Sequence, residues 1–205
     1  IAPVPWNDEM ARHFQQEVGG TPRSTLLKLV ALLHDIAKPQ MKTIEDGRIR
    51  FLGHAQLGAE MAVAILERWR FSNREIKLVE AMVRHHLRPA NLAPGEALPT
   101  HRAIYRFFRD TGEAGIDTLY LSLADHWATR GPNLIAQGWV AHTQATRYIL
   151  EEYYKEESLT RPPKLVDGHD LMALFGLKPS PALGKLLEEL KEAQGAGEIT
   201  SREQA

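Results

Sequence analysis

Two aspartates stand in very apolar stretches of the sequence, where a carboxylate is unexpected. Asp35 follows His34 directly after the run LLKLVALL, and Asp125 lies within LYLSLADHWA. A buried carboxylate is costly unless a cation or hydrogen-bond donors pair with it, so both residues require a partner. A divalent metal ion is one such partner, and an arginine side chain is another.

Histidines at two further places supply metal-ligand side chains. His54 begins a predicted helix just after Gly53, and the pair His85–His86 stands near the end of the next predicted helix. Taken alone, a histidine such as His34 or His54 would more often be a hydrogen-bonded residue of the core. A cluster of histidines and carboxylates drawn from several helices of a bundle, however, is a standard way to hold a divalent ion.

Cationic residues lie where a phosphate could approach. Lys38 follows Asp35 by three residues, so it could bind a phosphate oxygen or stabilise a helix C-terminus. Arg102, Arg106 and Arg109 share one face of a predicted helix, which could bind phosphates or be solvated. Residues 68–109 contain nine Lys or Arg against three Asp or Glu, an excess that fits an anion-binding face or a solvated helix surface.

The His-Asp dipeptide is weak evidence by itself. His169–Asp170 repeats it in the stretch VDGHDLM. There Asp167 and Asp170 have the spacing of a capping box before an apolar run, which predicts a helix start and not a metal site.

The elements that must position these residues are predicted to be nearly all helical. Apolar residues recur at helical spacing, and a helix over 24–38 is expected to stop before Pro39. Residues 41–51 have the signature of a β-hairpin around Asp46–Gly47, and residues 91–99 that of a loop. Residues 158–165 resemble an extended linker, and 166–205 two short helices joined by GLKPSP. We expect an all-α bundle over 1–157 with one small β-hairpin and a small C-terminal helical appendage.

The composition is that of a globular chain of about one domain, with 43% hydrophobic and 25% charged residues among 205. The absence of cysteine excludes disulfides and thiolate metal ligands and indicates a cytoplasmic setting. No apolar run reaches membrane-spanning length, so no membrane partner is expected. The net charge of -1 shows no global attraction to nucleic acid. Because the chain opens on Ile1, we expect a fragment or a trimmed product.

The motifs LLHDIAK, GHAQLGAEMA, VRHHLRP and LSLADHWATRG together resemble the HD-domain superfamily of metal-dependent phosphohydrolases, whose pattern is H…HD…D. With HRAIYRFFRDTGEAG and the C-terminal tail, the chain from about Leu26 onward is similar to the HD region and carboxyl end of bacterial tRNA nucleotidyltransferases and poly(A) polymerase relatives. The resemblance implies an HD-type helical bundle whose motifs lie within 23–130. It also implies contact between the tail and tRNA.

This resemblance predicts a metal site in the chain. It implies that His34, Asp35 and Asp125 bind one divalent ion, with Asp35 placed to bridge to a second. His54 and His86 would serve the second ion, with His85 as the substitute for His86. Magnesium, manganese, nickel, iron and zinc all accept such nitrogen and oxygen ligands.

The resemblance also assigns chemistry. Asp35 and Lys38 would be catalytic, and water activated by the metal would attack phosphorus without a protein nucleophile. Phosphate or RNA contacts would come from the following cations: Lys38, Arg88, Arg102, Arg106 and Arg109. The expected function is hydrolysis of a nucleotide or RNA-end phosphoester within a tRNA nucleotidyltransferase-like protein. The alternatives are a non-catalytic, tRNA-binding body and tail region, and a helical domain with a structural metal.

The chain departs from the family pattern in two places. The paired carboxylates of the nucleotidyltransferase head have no counterpart, so we expect no nucleotidyl transfer from this chain alone and leave open a head domain upstream. The histidine that should precede the His-Asp pair has one candidate, His13. It lies in MARHFQQEVGG, which resembles a variable loop and not a ligand-bearing helix.

Overall fold

The computed structural model describes residues 2–92, 97–131, 136–155 and 164–205. The described chain is mainly helical and confirms the predicted all-α class. Its helices are α1 (Asp8–Gln15), α2 (Arg23–Leu33), α3 (His54–Arg68), α4 (Asn73–His85), α5 (Arg88–Leu92), α6 (His101–Thr111), α7 (Gly115–Arg130), α8 (Ala136–Lys155), α9 (Gly168–Phe175) and α10 (Pro181–Gly195). A 3₁₀ turn (Gly112–Ala114) joins α6 to α7.

The predicted β-hairpin is present. Strand β3 (Thr43–Glu45) pairs antiparallel with β4 (Arg48–Arg50), and Ile44 stands opposite Ile49. Both turn residues, Asp46 and Gly47, have positive φ values of 50° and 73°. A two-residue hairpin turn of this hand requires such values, which is why Asp-Gly is favoured there.

The segment that contains His13 is helical, so the loop expected there was wrong. The Asn7 side chain caps α1 by accepting a hydrogen bond of 2.9 Å from the Met10 backbone N–H. Acidic residues in the first turn and buried Met10 and Phe14 stabilise the helix further. A second small hairpin follows, with strand β1 (Glu17–Val18) paired to β2 (Thr21–Pro22).

Helices α2, α3, α4 and α7 enclose the main hydrophobic core. Apolar side chains from all four helices are almost completely removed from water: Leu26, Val30, Ala59, Ala62, Leu66, Val79, Met82, Val83 and Leu121. Burial on this scale is the main force that fixes the four helices against one another. It thereby fixes the positions of the polar residues that these helices carry.

The chain divides into two compact units, the first formed by Ile1–Ala97 and Thr111–Arg147 and the second by Leu98–Asp110 and Tyr148–Ala205. All of the predicted metal ligands belong to the first unit. The second has its own small apolar cluster around Leu171 and Leu183. The predicted linker lies largely outside the described residues, and the predicted domain limit at 157 stays a prediction.

Several predicted boundaries can be compared with the structure. The helix start at Asp167 is confirmed, since Asp167 and Asp170 form a reciprocal capping box on α9. The predicted loop at 91–99 is helical at its beginning, where α5 ends, and its residues 93–96 lie outside the described part. Among the described residues, no helix combines the length and the apolar content that a membrane span requires.

Candidate metal centre

The His34–Asp35 pair stands directly after the end of α2. The His34 N–H still donates to the Val30 carbonyl at 2.8 Å, but the Ile36 and Lys38 N–H groups turn to carbonyls only three residues back. The helix predicted over 24–38 therefore ends earlier and tightens into turns of 3₁₀ type. This tightening places His34 and Asp35 at a helix end and not within a helix.

The chain reversal that follows the β3–β4 hairpin determines the position of His54. Gly53 precedes α3 with a φ of 84°, a conformation that favours glycine. A Cβ atom built there would lie 2.9 Å from the Met41 methyl group, the movable end of a flexible side chain, so the positive φ is the main reason for glycine. The His54 Nδ1–H donates to the Phe51 carbonyl at 2.7 Å, which orients the ring.

Of the two histidines at the end of α4, the structure places His86 beside Asp35. His86 is 3% exposed, whereas His85 is half-buried. Its Nδ1 donates to the Val83 carbonyl at 2.6 Å. His86 lies three residues after Val83 and so continues the buried face of α4.

The Asp35 carboxylate is the centre of the cluster. Its Oδ1 lies 3.3 Å from His54 Nε2 and 3.8 Å from His86 Nε2. Its Oδ2 lies 3.3 Å from His34 Nε2, and that nitrogen is also 3.6 Å from Asp125 Oδ1. Three of the predicted metal ligands, His34, His54 and His86, therefore lie around the Asp35 carboxylate, and Asp125 joins the cluster through His34.

The tautomers that the backbone imposes make this cluster fit a cation. His34, His54 and His86 each direct Nδ1 at the carbonyl of the residue three positions earlier, so in the neutral rings each Nε2 carries a lone pair. The Nε2 atoms of His54 and His86 are only 3.2 Å apart, beside a carboxylate oxygen. Two lone pairs at this distance repel unless a proton or a metal ion lies between them. In addition, His34 Nε2 and Asp35 Oδ1 are buried without a hydrogen-bond partner.

The pKa shifts of the clustered side chains are also consistent with a bound cation. Burial opposes protonation of His34, but the nearby Asp125 and Asp35 carboxylates raise its pKa overall. The His34 imidazole in turn lowers the pKa of Asp125. Burial lowers the pKa of His86, and the neighbouring histidines lower it further. The cluster thus combines an Asp125 carboxyl group that favours the ionised form with a His86 imidazole that resists protonation, and both properties suit metal binding.

Lys38 stands at the edge of the cluster. Its ammonium lies 2.5 Å from Asp35 Oδ2 and 5.6 Å from the centre of the Phe51 ring. Phe51 was not predicted to lie near this site. Its position three residues before His54, at the end of the hairpin, is the one signal that could have found it.

His13 does not contact Asp35 but lies beside Asp117 of α7. Its Nε2 lies 3.1 Å from Asp117 Oδ2, and the same carboxylate oxygen accepts a hydrogen bond of 2.6 Å from Arg23 Nη1. The structure therefore gives His13 a buried ion-pair partner on α7 instead of a place beside Asp35.

The arginine row of α6 is paired with acidic residues of the second unit. Arg106 and Arg109 both bind Glu192 of α10, at 2.7 and 2.5 Å, and Arg102 binds Glu198 at 2.6 Å. These ion pairs occupy the guanidinium groups that were predicted to bind phosphate. Arg88, the remaining predicted cation, opens α5 in the first unit and is half-buried.

The helices and the His-Asp pair at the end of α2 indicate the class of protein. Residues 9–130 match the HD domain family, and the chain belongs to this family.

The chain is also similar to tRNA nucleotidyltransferases. It is 38% identical over 181 residues to a CC-adding tRNA nucleotidyltransferase of Thermus thermophilus, across 87% of this chain and 38% of that protein. It is 34% identical over 182 residues to an A-adding tRNA nucleotidyltransferase of Deinococcus radiodurans, across 88% of this chain and 40% of that protein. The chain thus carries an HD domain related to tRNA nucleotidyltransferases and spans about two fifths of the length of these relatives.

Proposed function

We propose that the first unit is a divalent-metal-dependent phosphohydrolase that acts on a phosphoester of a nucleotide or an RNA end. The observation that carries the proposal is the pair of facing lone pairs on His54 and His86, 3.2 Å apart, beside the Asp35 carboxylate. This arrangement is electrostatically unfavourable by itself and favourable around a cation. Membership in a family of metal-dependent enzymes supports it.

Each side chain has a distinct part in the proposed site. His34, Asp35 and Asp125 would hold one ion, and Asp35 would share a second with His54 and His86. A bound divalent ion would supply Lewis acidity toward a phosphoryl oxygen. The carbonyls of Ala31, Phe51 and Val83 keep the three imidazoles oriented, because each fixes one Nδ1–H.

Lys38 would hold the substrate. Its ammonium lies at the rim of the cluster with the side chain 35% exposed, so it can exchange part of its contact with Asp35 for a phosphate oxygen. The nearby Phe51 ring offers an apolar surface beside that phosphate position. A base of the substrate would stack on this surface, which supports a nucleotide or RNA end over a simple phosphate.

The experiment is a metal and turnover analysis of the full chain. The wild type should retain a divalent ion after purification and hydrolyse a generic phosphomonoester with added Mn²⁺ or Ni²⁺. Asp35→Ala should lose both properties. Lys38→Gln should keep the metal but turn over at least about tenfold more slowly, because a charge-assisted contact to phosphate is lost.

The second His-Asp dipeptide offers the matched control. His169→Gln alters a side chain that is 93% exposed, and it should leave metal content and turnover unchanged, whereas His34→Gln should reduce both. Unchanged metal content and turnover in Asp35→Ala would refute the proposal.

A second candidate function is a non-catalytic tRNA-binding region of a longer enzyme. Relatives named as CC-adding and A-adding tRNA nucleotidyltransferases resemble most of this chain, and this favours it. In that case the chain should bind tRNA with an affinity that falls steeply as salt rises, because phosphate contacts release counterions. Absent or salt-insensitive binding would count against it.

A further inference from the structure

A second concave site lies in the first unit, away from the residues of the metal cluster. It is a cavity of about 280 Å³ between the first two turns of α4 and the 3₁₀ turn that precedes α7. The side chains that define its character are Arg74, Lys77, Leu78, Ala81, Glu113 and Ala114. None of the predicted metal ligands lines it.

Two cations form one side of the cavity. Arg74 and Lys77 are three residues apart on α4 and therefore share a helix face. Both side chains are exposed, and neither has an ion-pair partner within the part of the chain that the structure describes. This differs from the arginine row of α6, whose members are occupied by Glu192 and Glu198. The two free cations can bind an anion without first breaking an internal ion pair.

The floor of the cavity is apolar and the opposite side carries an acceptor. Leu78 and Ala114 are 5% and 1% exposed, and Ala81, one turn after Lys77 on α4, adds another small apolar surface. The Glu113 side chain is 64% exposed; its carboxylate lies 3.8 Å from the Arg23 guanidinium, which also donates to the Glu113 backbone carbonyl at 3.1 Å. The cavity thus combines a cationic side, an apolar floor and a carboxylate acceptor.

We propose that this cavity binds a mononucleotide unit, with the phosphate on Arg74 and Lys77 and the base on the floor of Leu78, Ala81 and Ala114. Glu113 accepts a hydrogen bond from an amino or hydroxyl group at the far end. Inorganic phosphate would leave the apolar floor uncovered, and a triphosphate would bring excess negative charge toward Glu113. The volume is near the lower limit for small-molecule pockets and fits one nucleotide. The unit can be a free mononucleotide or a nucleotide of an RNA strand.

The test uses the full chain in a metal-free buffer with a chelator, so that the His-Asp cluster does not contribute. Adenosine monophosphate, adenosine and inorganic phosphate are titrated and followed by calorimetry. Adenosine monophosphate should bind most tightly, because it alone uses both the cations and the floor. The double variant Arg74→Gln/Lys77→Gln should weaken its binding at least about tenfold. Ala81→Phe should weaken it as well, because the larger side chain fills the cavity.

The control removes the same charges at exposed positions that do not line the cavity. Lys28→Gln/Arg68→Gln should leave the affinity for adenosine monophosphate unchanged. A short oligoribonucleotide that displaces the mononucleotide at lower concentration identifies RNA as the source, and weaker displacement identifies the free nucleotide.

Two results would overturn the inference while leaving the proposed hydrolase intact. One is the absence of binding, or an affinity that the α4 double variant does not change. The other is binding that Asp35→Ala abolishes and the α4 variants do not, because this would place the nucleotide at the metal cluster.

Discussion

His142 is a half-buried histidine outside the predicted site. Its ring stacks on that of His126 with centroids 4.9 Å apart, and its Nε2 lies 3.2 Å from the Ser122 hydroxyl. Burial lowers the pKa of His142 to about 4, and the positive charges that His126 and Arg130 can carry add to the effect against a smaller contribution from Asp125. Between about pH 4 and pH 6.5 the side chain is therefore neutral in the folded protein, whereas an unfolded chain would already be protonated.

This lowered pKa predicts a loss of stability in mild acid. Below pH 6.5 residue 142 binds a proton in the unfolded state, whereas in the folded state it does so only near pH 4. The free energy of unfolding therefore falls as the pH is lowered from 6.5 to about 4. His142→Gln should remove about 1–2 kcal/mol of the acid-induced loss. Urea unfolding at pH 7 and pH 4.5, in metal-free buffer, measures the difference.

The exposed His169 provides the comparison. His169→Gln should unfold with the same pH dependence as the wild type. An equal pH dependence in wild type and His142→Gln would contradict the assignment of this effect to His142.

Individual residues also show how much of a site can be predicted from the sequence. His34, Asp35 and Asp125 stand out because they are polar residues in apolar runs, and a local pattern contains that information. Asp117 is likewise a carboxylate in an apolar stretch of the same helix, but it was not predicted to be buried in a polar network. Its partners Arg23 and His13 are 94 and 104 residues away along the chain, and no local spacing connects them.

At the scale of elements, Asp117 joins three helices. Its carboxylate on α7 is completely buried and accepts from Arg23 of α2 and His13 of α1. Its other oxygen and the Arg23 Nε are buried without a hydrogen-bond partner. Arg23 has one further carboxylate nearby, that of Glu113 at 3.8 Å, but the Glu113 side chain is 64% exposed. Asp117 is therefore the main buried counter-charge of Arg23.

Asp117→Ala should lower the free energy of unfolding by about 3–5 kcal/mol, because the buried Arg23 would lose its 2.6 Å partner and keep only the 3.8 Å contact with the exposed Glu113 carboxylate. Replacing both partners, in Arg23→Met/Asp117→Leu, should recover most of this loss. Urea unfolding of the three proteins measures both effects.

The Lys191–Glu188 pair on α10 is a suitable control. It is an exposed ion pair at 2.9 Å, so Glu188→Ala should cost less than about 1 kcal/mol. A similarly small cost for Asp117→Ala would show that the buried network contributes little.

Element types were easier to predict than element ends. The β3–β4 hairpin follows from Asp46–Gly47, because few residue pairs adopt that turn. The end of α2 could not be placed, since the chain tightens into 3₁₀ turns after Leu33 to fit Asp35 among side chains of α3, α4 and α7. That tertiary requirement overrides the local signal of Pro39.

At the scale of the whole molecule, the metal cluster joins distant parts of the first unit. The predicted ligands come from the end of α2, the start of α3, the end of α4 and the middle of α7. These parts meet only when the core has formed, so an unfolded chain presents no comparable site. Binding of the proposed ion would therefore be coupled to folding of the first unit.

This coupling predicts that a divalent ion stabilises the protein. Added Mn²⁺ should raise Tm in a concentration-dependent way, with about 2.7 kcal/mol of stabilisation at a hundredfold excess over Kd. Asp35→Asn keeps the shape of the central side chain but removes its charge, so it should abolish the shift, while His169→Gln should retain it. Thermal unfolding with and without a chelator measures this. If Mn²⁺ raised the Tm of Asp35→Asn as much as that of the wild type, the stabilising ion would be bound elsewhere in the chain.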